Sequence, residues 1–355
     1  MSLLQQTIHA IEPQSQKFRK LAEERILTLT MPRWALGRVL DLAVDLAGMT
    51  GSLNPLVKQK NIVLFAGDHG ILAEGVSDQP KEVTVQMVYN FIARGAGINI
   101  LAANAGAGVT VVDMGVNGSL QDLVDAGKII SKKVAWGTEN FSLGPAMTRE
   151  QAVAAIEAGI EVAHQLSPST DIFGTGEMGI GNTTPSSAII AVMTGTADIA
   201  SVVDRGAGLA IEKLPTKINA IKRGIERNRP NPADGLDVLH KIGGYEIGGI
   251  AGLILGAAAL KKPVVVDGFI STAGALIAHS LRPAAADYMI AAHGSMERGH
   301  QPMLDILNKT PLLDLNLRLG EGSGAALAMN IVDAAVAILT QMATFSSAGV
   351  TDKGL

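Results

Sequence analysis

From residue 61 the chain repeats one figure: a short aliphatic or β-branched run, a polar turn marked by glycine, then an alanine-rich stretch of helical period. Ile62-Val-Leu-Phe65 leads into Ala66-Gly-Asp68-His69-Gly70, and Val109-Thr-Val-Val112 into Asp113-Met-Gly115. Asp171-Ile-Phe-Gly174, Val264-Val-Val266 before Asp267, and Tyr288-Met-Ile-Ala-Ala292 before His293-Gly-Ser295 follow the same plan. Continuous rather than alternating apolar runs belong to strands covered on both faces, and interleaved helices make the crossovers of a parallel sheet. The pattern predicts an α/β fold, a mostly parallel Rossmann-like sheet with helices on both faces. Such sheets bind ligands outside the carboxyl ends of their strands. That brings Asp68, His69, Asp113, Glu177, Asp267, His293 and Ser295 toward one mouth.

The flanks carry the helical period instead. Trp34 to Ala47 places Leu36, Val39, Leu40, Ala43 and Ala47 on one stripe, with Gly48 as a stop, and Ala325 to Met342 is apolar except for Asp333. The expected division is a large α/β catalytic domain over residues 60–305 and a small helical lobe made by 1–59 with 306–355. No internal repeat stands out, and the most linker-like stretch, Asn228 to Gly235, is a Pro/Asn turn inside the large domain.

Composition narrows the function. The 355 residues are 47% hydrophobic and 3% aromatic, with 40 glycines, which suits an aliphatic core threaded by tight turns. A net charge of −4 without a long basic stretch argues against a nucleic-acid partner. The absence of cysteine excludes disulfides, thiolate metal sites and cysteine nucleophiles, and fits a cytoplasmic setting. The longest apolar run, Ile247 to Leu260, contains four glycines and is shorter than the ~20 residues of a spanning helix, so no membrane span is expected. The N-terminal segment lacks a basic and an apolar region, so no signal peptide is read.

Two glycine-dense loops each carry one carboxylate: Gly174-Thr-Gly176-Glu177-Met178-Gly179-Ile180-Gly181-Asn182-Thr183-Thr184 and Arg318-Leu319-Gly320-Glu321-Gly322-Ser-Gly324. The first formally matches G-x-G-x-x-G with Asp198 downstream, the fingerprint of a dinucleotide site. Against that, the best helix start is Thr184 as N-cap with Pro185 following, so the loop is too long for that turn. A Glu facing a pyrophosphate would also be repelled. Successive N–H groups from Gly179 to Thr184, ahead of a helix N-terminus, suit a single phosphate, with Lys213 or Lys217 as a cation. Asp68-His69 reads either as a catalytic pair or as a hydrogen-bonded structural one. Asp267, His293 and Ser295 match a hydrolase triad by composition, yet no Gly-x-Ser-x-Gly elbow surrounds Ser295. His9, His164, His240, His279 and His300 lack metal-ligand spacing, and no metal or cofactor is expected.

With these loops, the chain resembles the nicotinate-nucleotide–dimethylbenzimidazole phosphoribosyltransferase family, through Ala66-Gly-Asp-His-Gly70, Gly174 to Pro185, Asn231-Pro-Ala-Asp-Gly235, Asp267-Gly-Phe269 and Arg318 to Leu327. The resemblance implies transfer of a 5-phosphoribosyl group from nicotinate mononucleotide to a benzimidazole nitrogen, releasing nicotinate. It implies Glu321 as the general base and Glu177 beside the ribose. The phosphate would rest on Gly179, Ile180, Gly181 and Asn182 with Lys217 and Ser295, and the base would meet Gln86, Met178 and Leu319. Gly176, Thr183, Asp267, Asp68 and His69 complete the implied substrate-binding set, and a homodimer is the implied assembly. The chemistry agrees. The leaving pyridine is already cationic on its ring nitrogen, so it departs neutral without a general acid or a metal. A base of elevated pKa is what the reaction requires. Two other classes remain open at this point: a dinucleotide-dependent oxidoreductase using the Gly174 loop, and a non-catalytic nucleotide-binding protein. A related transferase acting on another base or a phenol is a third.

Overall fold

The computed structural model describes residues 1–206 and 208–351. Six strands, β1 (Lys60–Gly67), β2 (Ala107–Gly115), β3 (Ile130–Ser131), β4 (Ile172–Met178), β5 (Val264–Val266) and β6 (Met289–Ala291), form one sheet in the order β3-β2-β1-β4-β5-β6. Every pairing in it is parallel. This is the doubly wound order, in which the sense of strand addition reverses between β1 and β4 and opens a crevice at their carboxyl ends. Two further short strands, β7 (His293–Ser295) and β8 (Leu313–Leu317), pair in parallel beside it.

Two sequence expectations change here. The run from Tyr288 to Ser295 is not one strand. Ala292 donates the last ladder bond to Val266, and the 312–313 segment then bonds the carbonyls of Ala291 and Ala292, so the chain leaves the sheet and β7 takes β8 as its partner. In the other direction, β4 does not end at Gly174. It continues through Gly176 to Met178 and stays in register with β1 up to the Ala66–Met178 pair. The first two glycines of the supposed dinucleotide fingerprint, Gly174 and Gly176, are therefore strand residues, and only Gly179 lies in the turn that follows.

The helices cover both faces. The most apolar of them, Tyr245–Ala259, is buried from Tyr245 to Ala258 and lies against Arg149–Leu166. Its glycines make that approach possible: a Cβ on Gly252 would collide with the Ile156 carbonyl, and one on Gly159 with that of Gly249. The first long N-terminal helix starts at Arg38 rather than Trp34, because Trp34 and Gly37 both take positive φ. It runs through Gly48 and stops at the left-handed Gly51. Helix Ser323–Gln341 is the one element among the described residues long and apolar enough to cross a membrane, and half of it is buried inside the protein. It packs on Arg38–Thr50, Gly97–Asn104, β4 and β5, and its Asp333 pairs with Lys60 at the base of β1. Its contact with β4 and β5 brings its first turn to the carboxyl ends of those strands.

Candidate active site

A cavity of about 270 Å³ opens over the carboxyl ends of β4 and β5, between β7, the helix Glu82–Ile92 and the Leu319–Glu321 turn. Four carboxylates line it: Glu297, just after β7, and three that share one hydrogen-bonded cluster, Glu177 from the end of β4, Asp267 from the end of β5, and Glu321 from the turn before Ser323–Gln341.

The Glu321 turn holds three successive residues at positive φ, Gly320 at 83°, Glu321 at 64° and Gly322 at 95°. For a glutamate that conformation costs about 1–2 kcal/mol and needs external support. Asp267 supplies much of it. Its Oδ2 accepts the Gly322 N–H at 3.1 Å and its Oδ1 the Ala325 N–H at 2.9 Å, capping the helix from another strand. Glu177 Oε1 accepts the Glu321 N–H at 3.4 Å, and Gly320 lies so close to Glu177 that a Cβ would overlap its carboxylate. Gly176 completes the seat, since a Cβ there would lie 2.5 Å from the Glu321 carbonyl oxygen. The Glu321 carboxylate is held in turn. Its Oε2 accepts the Ile98 N–H at 3.0 Å, at the N-terminus of Gly97–Asn104, while Oε1 has no hydrogen-bond partner among the described residues.

Burial dominates the titration of the three clustered acids. It raises the Glu321 pKa against the Ile98 hydrogen bond, with the Asp267 charge adding to the rise. It pushes Glu177 up to about 8, although Asn182 donates to Glu177 Oε2. Asp267 is also raised by burial, opposed by His293, whose Nε2 lies 3.7 Å from Oδ1. An aromatic N–H brought beside Glu321 would therefore face a dry carboxylate of enhanced basicity with one oxygen unengaged.

Below this cluster the chain after β4 makes the turn Gly179 to Asn182 and enters helix Thr183–Thr194 with Asn182 at the cap, two residues earlier than the Thr184 expected. Thr183 receives a hydrogen bond from Lys217 Nζ at 2.8 Å, which also reaches the Asp204 carbonyl at 2.8 Å. Lys217 is fully buried, and burial lowers its pKa to about 8 while Glu297 and Asp204 pull it upward. The turn, the helix N-terminus and a cation behind Thr183 together have the donor set and charge that suit an anion.

The chain matches the phosphoribosyltransferase family model over residues 11–350. Nicotinate-nucleotide–dimethylbenzimidazole phosphoribosyltransferase of Syntrophotalea carbinolica is 59% identical over 99% of both chains. The protein of that name from Desulfotalea psychrophila is 58% identical over the same shares. The chain belongs to the nicotinate-nucleotide–dimethylbenzimidazole phosphoribosyltransferase family. The crystal structure of the Thermus thermophilus member superposes with a TM-score of 0.88 at 41% identity, covering 95% of this chain and 99% of that one. This chain is accordingly a pentosyltransferase of the family, with its α/β fold.

Of the residues expected at the site, Glu321, Glu177, Met178, Gly179, Ile180, Asn182, Thr183, Asp267, Ser295 and Leu319 line the cavity. Others do not. Gln86 is exposed, and the helix Glu82–Ile92 presents Val83 and Met87, one turn apart, in its place. Gly176 lies under the Glu321 backbone, and Gly181 lines a smaller adjoining cavity of about 60 Å³. Lys217 stands behind Thr183. Asp68 and His69 lie beneath the Gly179 turn: Asp68 accepts the Asn117 N–H at 2.7 Å, and His69 Nε2 meets Glu246 Oε1 at 2.8 Å. Asp113 is also outside, pairing with Lys133 at 3.0 Å and capping the N–H groups of Gly115 and Val116. The triad composition has no triad geometry. His293 Nδ1 lies 3.0 Å from the Gly294 carbonyl, His300 Nδ1 accepts the Ser295 N–H at 2.8 Å, and among the described residues the Ser295 hydroxyl meets only the Glu297 N–H, at 3.3 Å.

His293, expected at the mouth, does line the cavity; sequence reasoning missed Glu297 and Arg318 there, and Val83 and Met87 as its wall. The period of Glu82–Ile92, with Thr84, Val88 and Phe91 inward, would have identified Val83 and Met87 as the flank facing β4. Glu246, an acid opening an otherwise apolar helix, was a signal of the same kind.

Proposed function

We propose that the protein transfers the 5-phosphoribosyl group of nicotinate mononucleotide to 5,6-dimethylbenzimidazole, forming α-ribazole 5′-phosphate and nicotinate, with Glu321 as the general base. The observation that carries this reading is the seat of Glu321: a buried carboxylate of raised pKa, fixed through Oε2, with Oε1 unpartnered among the described residues. One nitrogen of the incoming base attacks the anomeric carbon while Glu321 takes the proton from the other, and the C–N bond to the pyridinium breaks with its electron pair returning to the ring. Charge is balanced within the pair of substrates, so no metal is required for departure.

In this reading the phosphate rests on the backbone from Gly179 to Asn182, with Ser295 beside it and Lys217 acting through Thr183. Glu177 stands next to the ribose and steadies oxocarbenium character electrostatically. Val83, Met87, Met178 and Leu319 supply an apolar wall that suits a methylated benzimidazole more than a polar purine. Burial of Met178, Val83 and Met87 is partial and Leu319 is 59% exposed, as a wall awaiting an aromatic ring would be. The same exposure, with Met296 and Leu315 nearby along β7 and β8, supports a homodimer, and the cysteine-free chain supports a cytoplasmic setting. The test is incubation with nicotinate mononucleotide and a panel of bases, following nicotinate release. Dimethylbenzimidazole should give the highest kcat/KM, and release of no nicotinate with any base would reject the assignment.

A further inference from the structure

The Asp68-His69 pair, conspicuous in the sequence, does not reach the cavity, yet it occupies one of the most constrained positions in the fold. His69 Nε2 and Glu246 Oε1 are 2.8 Å apart, with both side chains essentially inaccessible. Three glycines from three separate elements close around the pair. A Cβ on Gly244 would lie 2.5 Å from His69 Cε1 and 2.6 Å from Glu246 Oε2, and one on Gly67 would lie 3.2 Å from Glu246 Oε2. Gly179, the first residue of the phosphate turn, sits so close to the Gly67 carbonyl that a Cβ would overlap it, and that Cβ would also lie 3.2 Å from His69 Nε2. The floor of the turn is therefore the imidazole and the end of β1.

This arrangement is poorly explained as a stability device. Asp68 Oδ1, His69 Nδ1 and Glu246 Oε2 are all buried without a hydrogen-bond partner among the described residues. Each such atom costs about 1–3 kcal/mol, and an apolar pair of similar volume would avoid that cost. What the pair supplies that an apolar one lacks is a fixed direction. A hydrogen-bonded imidazole anchored to the first turn of Tyr245–Ala259 defines the height and tilt of Gly179 against β1.

We propose that His69, held by Glu246, is a positioning residue for the donor's phosphate, setting the Gly179 turn from below. This rests on the reading that the phosphate lies on that turn. The consequence is specific: loosening the turn weakens the phosphate contacts and leaves those to the ribose and the pyridine unaffected.

The test compares equilibrium binding of nicotinate mononucleotide with that of nicotinate riboside, the same donor without its phosphate, in the wild type, His69→Ala, His69→Gln and Glu246→Gln. His69→Ala should weaken nucleotide binding about tenfold, within the usual range of site-to-site coupling, and riboside binding by less than about twofold. His69→Gln, which keeps a donor toward Glu246, should recover most of the loss, and Glu246→Gln should lie between. Equal losses for both ligands, or none for the nucleotide, would overturn the proposal. In the unaltered protein, the His69 ring nitrogens should shift in ¹⁵N spectra when the nucleotide is added and stay still with the riboside. Silence to both ligands contradicts the proposal even where no variant folds. Separately, a wild type that binds riboside as tightly as nucleotide would reject the phosphate placement itself.

Discussion

Replacing Gly176 by alanine tests the seat of Glu321 without touching any side chain of the site. The new Cβ would lie 2.5 Å from the Glu321 carbonyl oxygen and 3.1 Å from its carbon, so the partner that must yield is backbone. Restoring ordinary contact at about 3.4 Å requires a displacement of roughly 0.9 Å, either of the turn or of β4. β4 is clamped between β1 and β5, whereas the turn is tied mainly by Asp267, Glu177 and Ile98. The turn is the part that moves. Overpacking of this kind costs about 1–3 kcal/mol of stability. A misplacement near 1 Å of a catalytic group costs on the order of 10² in rate. The expected outcome is a folded enzyme, a few degrees lower in Tm, with kcat reduced about a hundredfold under saturating substrates. Gly195→Ala is the control: its φ is 64°, it caps Thr183–Thr194, and nothing lies within 4 Å of its Cβ position. It should lose about 1 kcal/mol of stability through φ strain and keep wild-type kcat. A Gly176→Ala enzyme with wild-type turnover would refute the claim that the strand floor positions the base.

Three further outcomes follow from the same geometry. Asp267→Asn removes the charged acceptor of the Gly322 and Ala325 N–H groups, so kcat should fall at least tenfold and thermal stability should drop by about 1.5–3 kcal/mol; calorimetry and nicotinate release read the two effects. Glu177 keeps its proton in the folded state up to about 8 but loses it near 4.5 when unfolded, so burial of this acid destabilises the fold increasingly as pH rises between those values. Glu177→Gln should remove that slope, about 1.4 kcal/mol per pH unit relative to wild type, in denaturant titrations from pH 5 to 8. Met87→Ala should raise KM for the base several-fold and Gln86→Ala should not, a comparison that a Gln86-lined pocket would reverse.

Much of this architecture was written in local signals. Continuous apolar runs with glycine-marked turns announced a parallel sheet, and the two glutamates among glycines marked its mouth. What stayed hidden depends on long-range contacts. Nothing local says that β4 runs on through Gly176, because Gly176 makes room for the Glu321 backbone, 145 positions along the chain, and Gly174 for Ile62 and Met329. Gln86 and Met87 differ by one position on a helix whose rotation is set by burial of Thr84, Val88 and Phe91 against the sheet. Lys217 bonds Thr183 at the start of the helix after the turn, and its separation from the cavity by that residue is a property of packing. The split of the Tyr288–Ser295 run into β6 and β7 is set by the 312–313 segment, which the run itself cannot reveal.

The pH dependence of nicotinate release by the wild type and Glu321→Gln bears most directly on the role of Glu321. A base must be ionised to act, and burial raises its pKa, so wild-type kcat should fall as pH drops through a value above the ordinary 4.5 of a glutamate. Glu321→Gln should lose about 10²–10⁴-fold in kcat and lose that acid limb with it. A variant within tenfold of wild type, or one that keeps the same acid limb, would contradict proton abstraction by this residue.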